Sequence, residues 1–166
     1  MVGRHRFVRR TRKGDFVLEL GEGERELMRS LVPQLRELLT AGAGGGADAN
    51  RVDESLTRLF PTAYPDDAEL DAEYQSMVRD DLLEKRLAAL DVVEETIDAQ
   101  RLDEEQLLRW MGSVNDLRLV LGTRLDVSED MDALGLDLDD PNAPLYGVYG
   151  YLGWLLEHIV EALSDG

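Results

Sequence analysis

The stretch 107-LLRWMGSVNDLRLVLGTRL-125 decides the fold. Leu107, Leu108, Trp110, Met111, Val114, Leu117, Leu119, Val120, Leu121 and Leu125 cover nearly the whole circumference of a helix. A helix that is apolar all round is a buried one, so this segment reads as the centre of a helical bundle. Asp103, Glu104 and Glu105 place acids at its start, where the helix dipole favours them. Gly112 and Gly122 read as points where neighbouring helices come close.

Downstream, residues 126–140 carry seven carboxylates and no base, which reads as a linker running to residue 143. Pro141 and Pro144 then lead into a last helix with the stripe Leu145, Val148, Tyr149, Leu152, Leu155, Leu156, Ile159, Val160 and Leu163. Gly147, Gly150 and Gly153 form a second row on it. Each costs about 1 kcal/mol against alanine in a helix interior, so a close-packing role is expected.

Upstream lies the longest periodic run, from Pro65 to about Ile97, through Leu70, Tyr74, Met77, Leu83, Leu87, Leu90 and Val93. Unbroken, it would span roughly 50 Å. Val52–Phe60 reads as a short helix closed by Pro61, and residues 42–50 as a flexible glycine-rich loop. From Gly23 to Ala41, Leu27, Leu31, Leu35, Leu38 and Leu39 recur at helical spacing, with a kink expected at Pro33. Ahead of that helix, His5–Arg10 and Asp15–Leu20 read as a hairpin turned at Gly14. The predicted fold is mainly α: a bundle of four to five helices with an amino-terminal β-hairpin packed on it. One domain covers residues 1–166, with the basic arm and hairpin at 1–21 and the bundle at 22–166.

Composition removes several chemistries. The absence of cysteine excludes disulfides, thiolate nucleophiles and cysteine zinc sites. No apolar run reaches the 18–20 or so residues of a transmembrane helix, and no signal-peptide core follows the basic start. No membrane association and a cytoplasmic location are therefore expected. The net charge of −17 is uneven: Arg4, Arg6, Arg9, Arg10, Arg12 and Lys13 sit in the first 13 residues without an acid. The acidic remainder repels nucleic acid, so binding to a polyanion would have to use this arm. A clamp on the protein's own acidic body, or on a partner, is favoured.

Three stretches carry a family resemblance: 58-RLFPTAYPDD-67 leading into Glu73-Tyr74, Trp110 followed by 115-NDLRLVLGTRL-125, and 151-YLGWLLEHIVEAL-163. With the hairpin, they resemble an actinobacterial family of unknown function. Its members' genes often lie near that of the ClpS protease adaptor. The resemblance implies no activity, substrate or cofactor, and only hints at regulated proteolysis.

Three sets of residues need explaining. Asn115, Asp116, Arg118 and Arg124 are polar in the most apolar helix, where a charge must be paired. An internal network is favoured, with Arg118 reaching Glu73, Asp80 or Asp81 on the long helix. A small-ligand or enzymatic pocket around Asn115, Asp116 and Arg118 is the competing reading. Tyr146, Tyr151 and Trp154 crowd the last helix and would form a protein-binding surface if exposed. The arm Arg4–Lys13 is the third. The paired carboxylates read as solvated surface, and neither His5 nor His158 sits in a nucleophile motif. The expected function is a non-enzymatic protein-interaction or regulatory protein with no cofactor. The alternatives are a nucleic-acid-binding regulator using the arm, and an enzyme or ligand binder using the pocket. The last helix's glycines fit a homodimer seam and an internal seam equally well.

Overall fold

The computed structural model describes residues 7–43, 59, 64–125, 141 and 143–165. Among them, four helices, α1 (Glu22–Ala43), α2 (Ala68–Glu95), α3 (Glu104–Arg124) and α4 (Ala143–Ser164), carry a small antiparallel sheet. The sheet has strand order β1 (Val8–Arg10), β2 (Phe16–Leu18), β3 (Arg101–Leu102).

The hairpin forms where alternation and Gly14 place it. Thr11 N–H donates to Asp15 O at 2.8 Å, and Gly14 turns the chain at φ +91°, a value that disfavours a side chain. The Thr11 hydroxyl donates to the Asp15 carboxylate, which Arg101 also approaches. Both hold Asp15 below the usual carboxylate range, the hydroxyl contributing more. Val8 pairs with Leu18, and Phe16 with Arg10 on one side and Leu102 on the other. Phe16, Leu18 and Leu102 are buried against the helices. The third strand, β3, was not foreseen: two residues are too few to show alternation.

Helix α3 packs on α1, α2 and α4, as its apolar circumference predicts. Asp103 and Gln106 form a reciprocal capping box at its start. Trp110, Leu107 and Val114 are fully buried. The Trp110 indole N–H donates to Thr96 Oγ1 at 2.7 Å, and Thr96 in turn donates to Val92 O at 2.6 Å. This bond ties α3 to the end of α2. Helix α2 ends at Glu95, short of Ile97, with Thr96 as its C-cap: the Thr96 amide donates to Val92 O and Val93 O.

Other boundaries shift for local reasons. Helix α1 continues through Gly42 and Ala43, the first two residues of the expected loop 42–50, and the rest of that stretch lies outside the described residues. Its buried line is Met28, Val32, Leu35 and Leu39, with Leu27, Leu31 and Leu38 at the half-buried margin. Pro33 lies inside α1 on the exposed side. Ala143 opens α4, one residue ahead of Pro144, a position in the first turn that proline tolerates. The short helix expected at Val52–Phe60 and the linker 126–140 lie outside the described residues, Leu59 excepted. The glycine row of α4 departs from expectation: a Cβ at Gly147 or Gly150 would meet nothing within 4 Å, as at Gly112 of α3, whereas one at Gly153 would lie 3.3 Å from Arg118 Nε.

Candidate functional site

The polar residues of α3 turn to different neighbours. Positions 116 and 118 lie about 200° apart round a helix, so they cannot converge on one point. Asp116, 5% exposed, accepts from Arg86 of α2, whose other nitrogen donates to Leu59 O at 3.1 Å. Burial raises the Asp116 carboxyl above the usual aspartate range, and Arg86 only partly offsets this. Arg118 does not reach Glu73, Asp80 or Asp81. Its guanidinium lies 5.3 Å over the Tyr149 ring of α4, and its buried Nε passes beside Gly153 without a hydrogen-bond partner. The expectation failed because it chose the wrong arginine: the long helix supplies the cation and α3 the carboxylate. Asn115 is half-buried, and Arg124 is exposed in the last turn of α3.

The aromatic residues of α4 are half-buried. Phe7 stacks edge-on against Trp154 at 4.5 Å, and His158 lies 4.3 Å from Trp154 on the same side. The Tyr151 ring is 6.0 Å from Trp154, and burial followed by the charge of Glu24 pushes its phenol up. Tyr146 donates its hydroxyl to Leu125 O at 3.3 Å. Phe7, just ahead of β1, and Leu125, at the end of α3, therefore leave this side partly covered.

The arm is partly absorbed into the fold. Arg10 lies 4.9 Å over the Phe16 ring and donates to Leu163 O at 3.4 Å, near the negative end of α4. Arg9 approaches Glu19 at 3.9 Å. Arg12 and Lys13 are exposed on the hairpin turn, and Arg4 and Arg6 lie outside the described residues.

Two features escaped the sequence reading. Arg25, 8% exposed, donates to Leu20 O, Ile97 O and Ala99 O, fastening α1 to the turn after α2. The second is a surface. The buried residues of α2 are Ala89, Leu90 and Val93, all in its last two turns. Its first half instead shows Leu70 (42% exposed), Tyr74 (40%) and Met77 (73%) to solvent, with Tyr64 (41%) edge-on to Tyr74 at 5.9 Å. Spacings of four and three residues put Leu70, Tyr74 and Met77 on one helix face. Periodicity put these residues on one face without saying what that face meets. The density of acids around them was the available signal: residues 64–81 hold seven carboxylates and one arginine.

Among the described residues, no group of three or more histidines, aspartates or glutamates could hold a metal ion. Nor is any described helix long and apolar enough to cross a membrane. The chain belongs to the family described as Domain of unknown function (DUF2017), which it matches over residues 4–163. It is 31% identical over 144 residues to an AosR of Mycobacterium leprae (strain TN), covering 76% of this chain and 65% of that protein. It is 32% identical over 128 residues to the oxidative stress regulator AosR of Mycobacterium tuberculosis (strain H37Rv), covering 67% and 58%. The chain therefore spans 58–65% of the length of these curated relatives. No solved structure matches it.

Proposed function

We propose that this chain is a non-enzymatic regulatory protein that works in the cytoplasm by binding another protein through the first half of α2. One observation carries the reading: Leu70, Tyr74 and Met77 form an exposed apolar face on a half-helix that buries no residue in the bundle. Large apolar groups on one surface are characteristic of interaction sites. The names of the mycobacterial relatives support a regulatory role, and oxidative stress is the natural condition in which to seek it. The 166 residues contain no cysteine, so an oxidative signal cannot be read here as a disulfide. The family's gene neighbourhood makes regulated proteolysis the first pathway to examine. Nucleic-acid binding is the weaker reading, because Arg9 and Arg10 are engaged within the fold.

The test is site-specific photo-crosslinking in the native host, with the crosslinker at position 77 and, as control, at exposed Leu108 on α3. A protein adduct from position 77 and not from 108 supports the reading. Adducts of equal yield from both positions, or nucleic acid retained through Arg9 and Arg10, overturn it.

A further inference from the structure

The surface on α2 has a charge pattern that specifies its occupant. Within residues 64–81 the carboxylates are Asp66, Asp67, Glu69, Asp71, Glu73, Asp80 and Asp81, against Arg79 alone. They do not interrupt the apolar face; they border it. Taking Leu70 as reference, Tyr74 and Met77 stay within about 40° of it round the helix, whereas Glu69, Glu73 and Asp80 lie some 60–100° to one side. Asp81 closes the face at its carboxyl end. Next to Leu70 is a shallow cavity of about 380 Å³, lined by Asp67, Glu69, Leu70 and Glu73. An apolar wall under three carboxylates suits a lysine or arginine, whose methylene stem packs on Leu70 while its head meets the acids.

From this complementarity we infer that the α2 face binds a basic amphipathic helix of a partner protein, with apolar residues at i, i+3/i+4 and i+7 flanked by lysine or arginine. The inference deepens the reading of α2 as the docking surface and rests on it. A helix laid along Leu70, Tyr74 and Met77 sets its apolar residues on theirs. Its basic flank meets the acidic border, and one basic side chain enters the cavity beside Leu70. A second copy of this chain is a poor occupant. A two-fold contact sets the same patch against itself, so two borders of seven carboxylates would face each other. Like charges so placed oppose association.

The probe is a synthetic helix-forming peptide of leucine and lysine with that spacing, followed by fluorescence anisotropy on the full chain. Its partner probe has glutamate in place of every lysine. The variants are Leu70→Asp and Met77→Asp, with Val160→Asp, on the exposed side of α4, as control. Both test substitutions add negative charge, so they strengthen long-range attraction for the lysine peptide while removing the apolar contact. The expected result is weaker binding by about tenfold or more for each, unchanged binding for Val160→Asp, and none for the glutamate peptide. Equal binding by all four proteins would overturn the inference, since the contact would then be diffuse attraction to an acidic body. Sedimentation showing a wild-type dimer that Met77→Asp dissociates would also overturn it, in favour of self-association. If position 77 crosslinks a partner that the lysine peptide fails to displace, the docking surface stands and the basic helix does not.

Discussion

Arg86 and Asp116 join α2 to α3 across 30 residues of sequence, with the Asp116 side chain 7% and the Arg86 side chain 23% exposed. Removing the cation strands a buried charge. Arg86→Met is expected to cost about 3 kcal/mol, measured by urea denaturation at neutral pH. Asp116→Asn, which keeps an acceptor for Arg86, should cost far less.

The same pair fixes a pH dependence. The folded pKa of Asp116 is raised, so the folded state holds its proton more tightly than the unfolded chain does. As pH rises through the folded pKa, this group therefore lowers stability. Wild type should lose stability relative to Asp116→Asn between the normal aspartate range and the raised value. The check is the difference between the two unfolding curves at several pH values; a flat difference would contradict the burial argument.

Thr96 and Trp110 form a buried bond whose loss cannot be compensated by water. Thr96→Val preserves shape but leaves the indole N–H without an acceptor. A loss of about 1–3 kcal/mol is expected, at unchanged denaturant slope. Tryptophan fluorescence during the same titration reports whether Trp110 stays buried.

The glycines of α4 should separate. Gly147→Ala and Gly150→Ala place a methyl in open space, so each should stabilise by up to about 1 kcal/mol. Gly153→Ala sets a methyl 3.3 Å from Arg118 Nε and should give a smaller gain or a loss. Thermal denaturation of the three variants gives the order directly.

Met77 is 73% exposed, whereas Met28 is fully buried. Mild peroxide should convert Met77 to the sulfoxide well before Met28, seen by peptide mapping. The sulfoxide is polar, so affinity for the leucine–lysine peptide should fall several-fold. Met77→Leu should bind normally and ignore the oxidant. Loss of affinity in that variant too would place the damage elsewhere.

The helices were legible because each repeats its apolar positions over many turns. Capping residues such as Asp103 marked where α3 begins. Arg101–Leu102 was not legible as a strand, since its pairing with Phe16 and Val17 comes from the tertiary fold. Asp116 was recognisable as a charge needing a partner, but spacing could not choose between Arg86 and other cations thirty residues away. Leu70, Tyr74 and Met77 show the opposite failure. Periodicity states which residues share a face, not whether anything packs on it.

Arg10 reaches Leu163, 153 positions later, and Phe7 lies on Trp154. A ribosome makes the hairpin before its supports. Until α4 has left the exit tunnel, Phe7 and Phe16 have no complete surface to cover, and the sheet waits on a helix made some 140 residues later. Truncation within α4 would therefore be felt first at the hairpin, where newly exposed strands would invite proteolysis and aggregation.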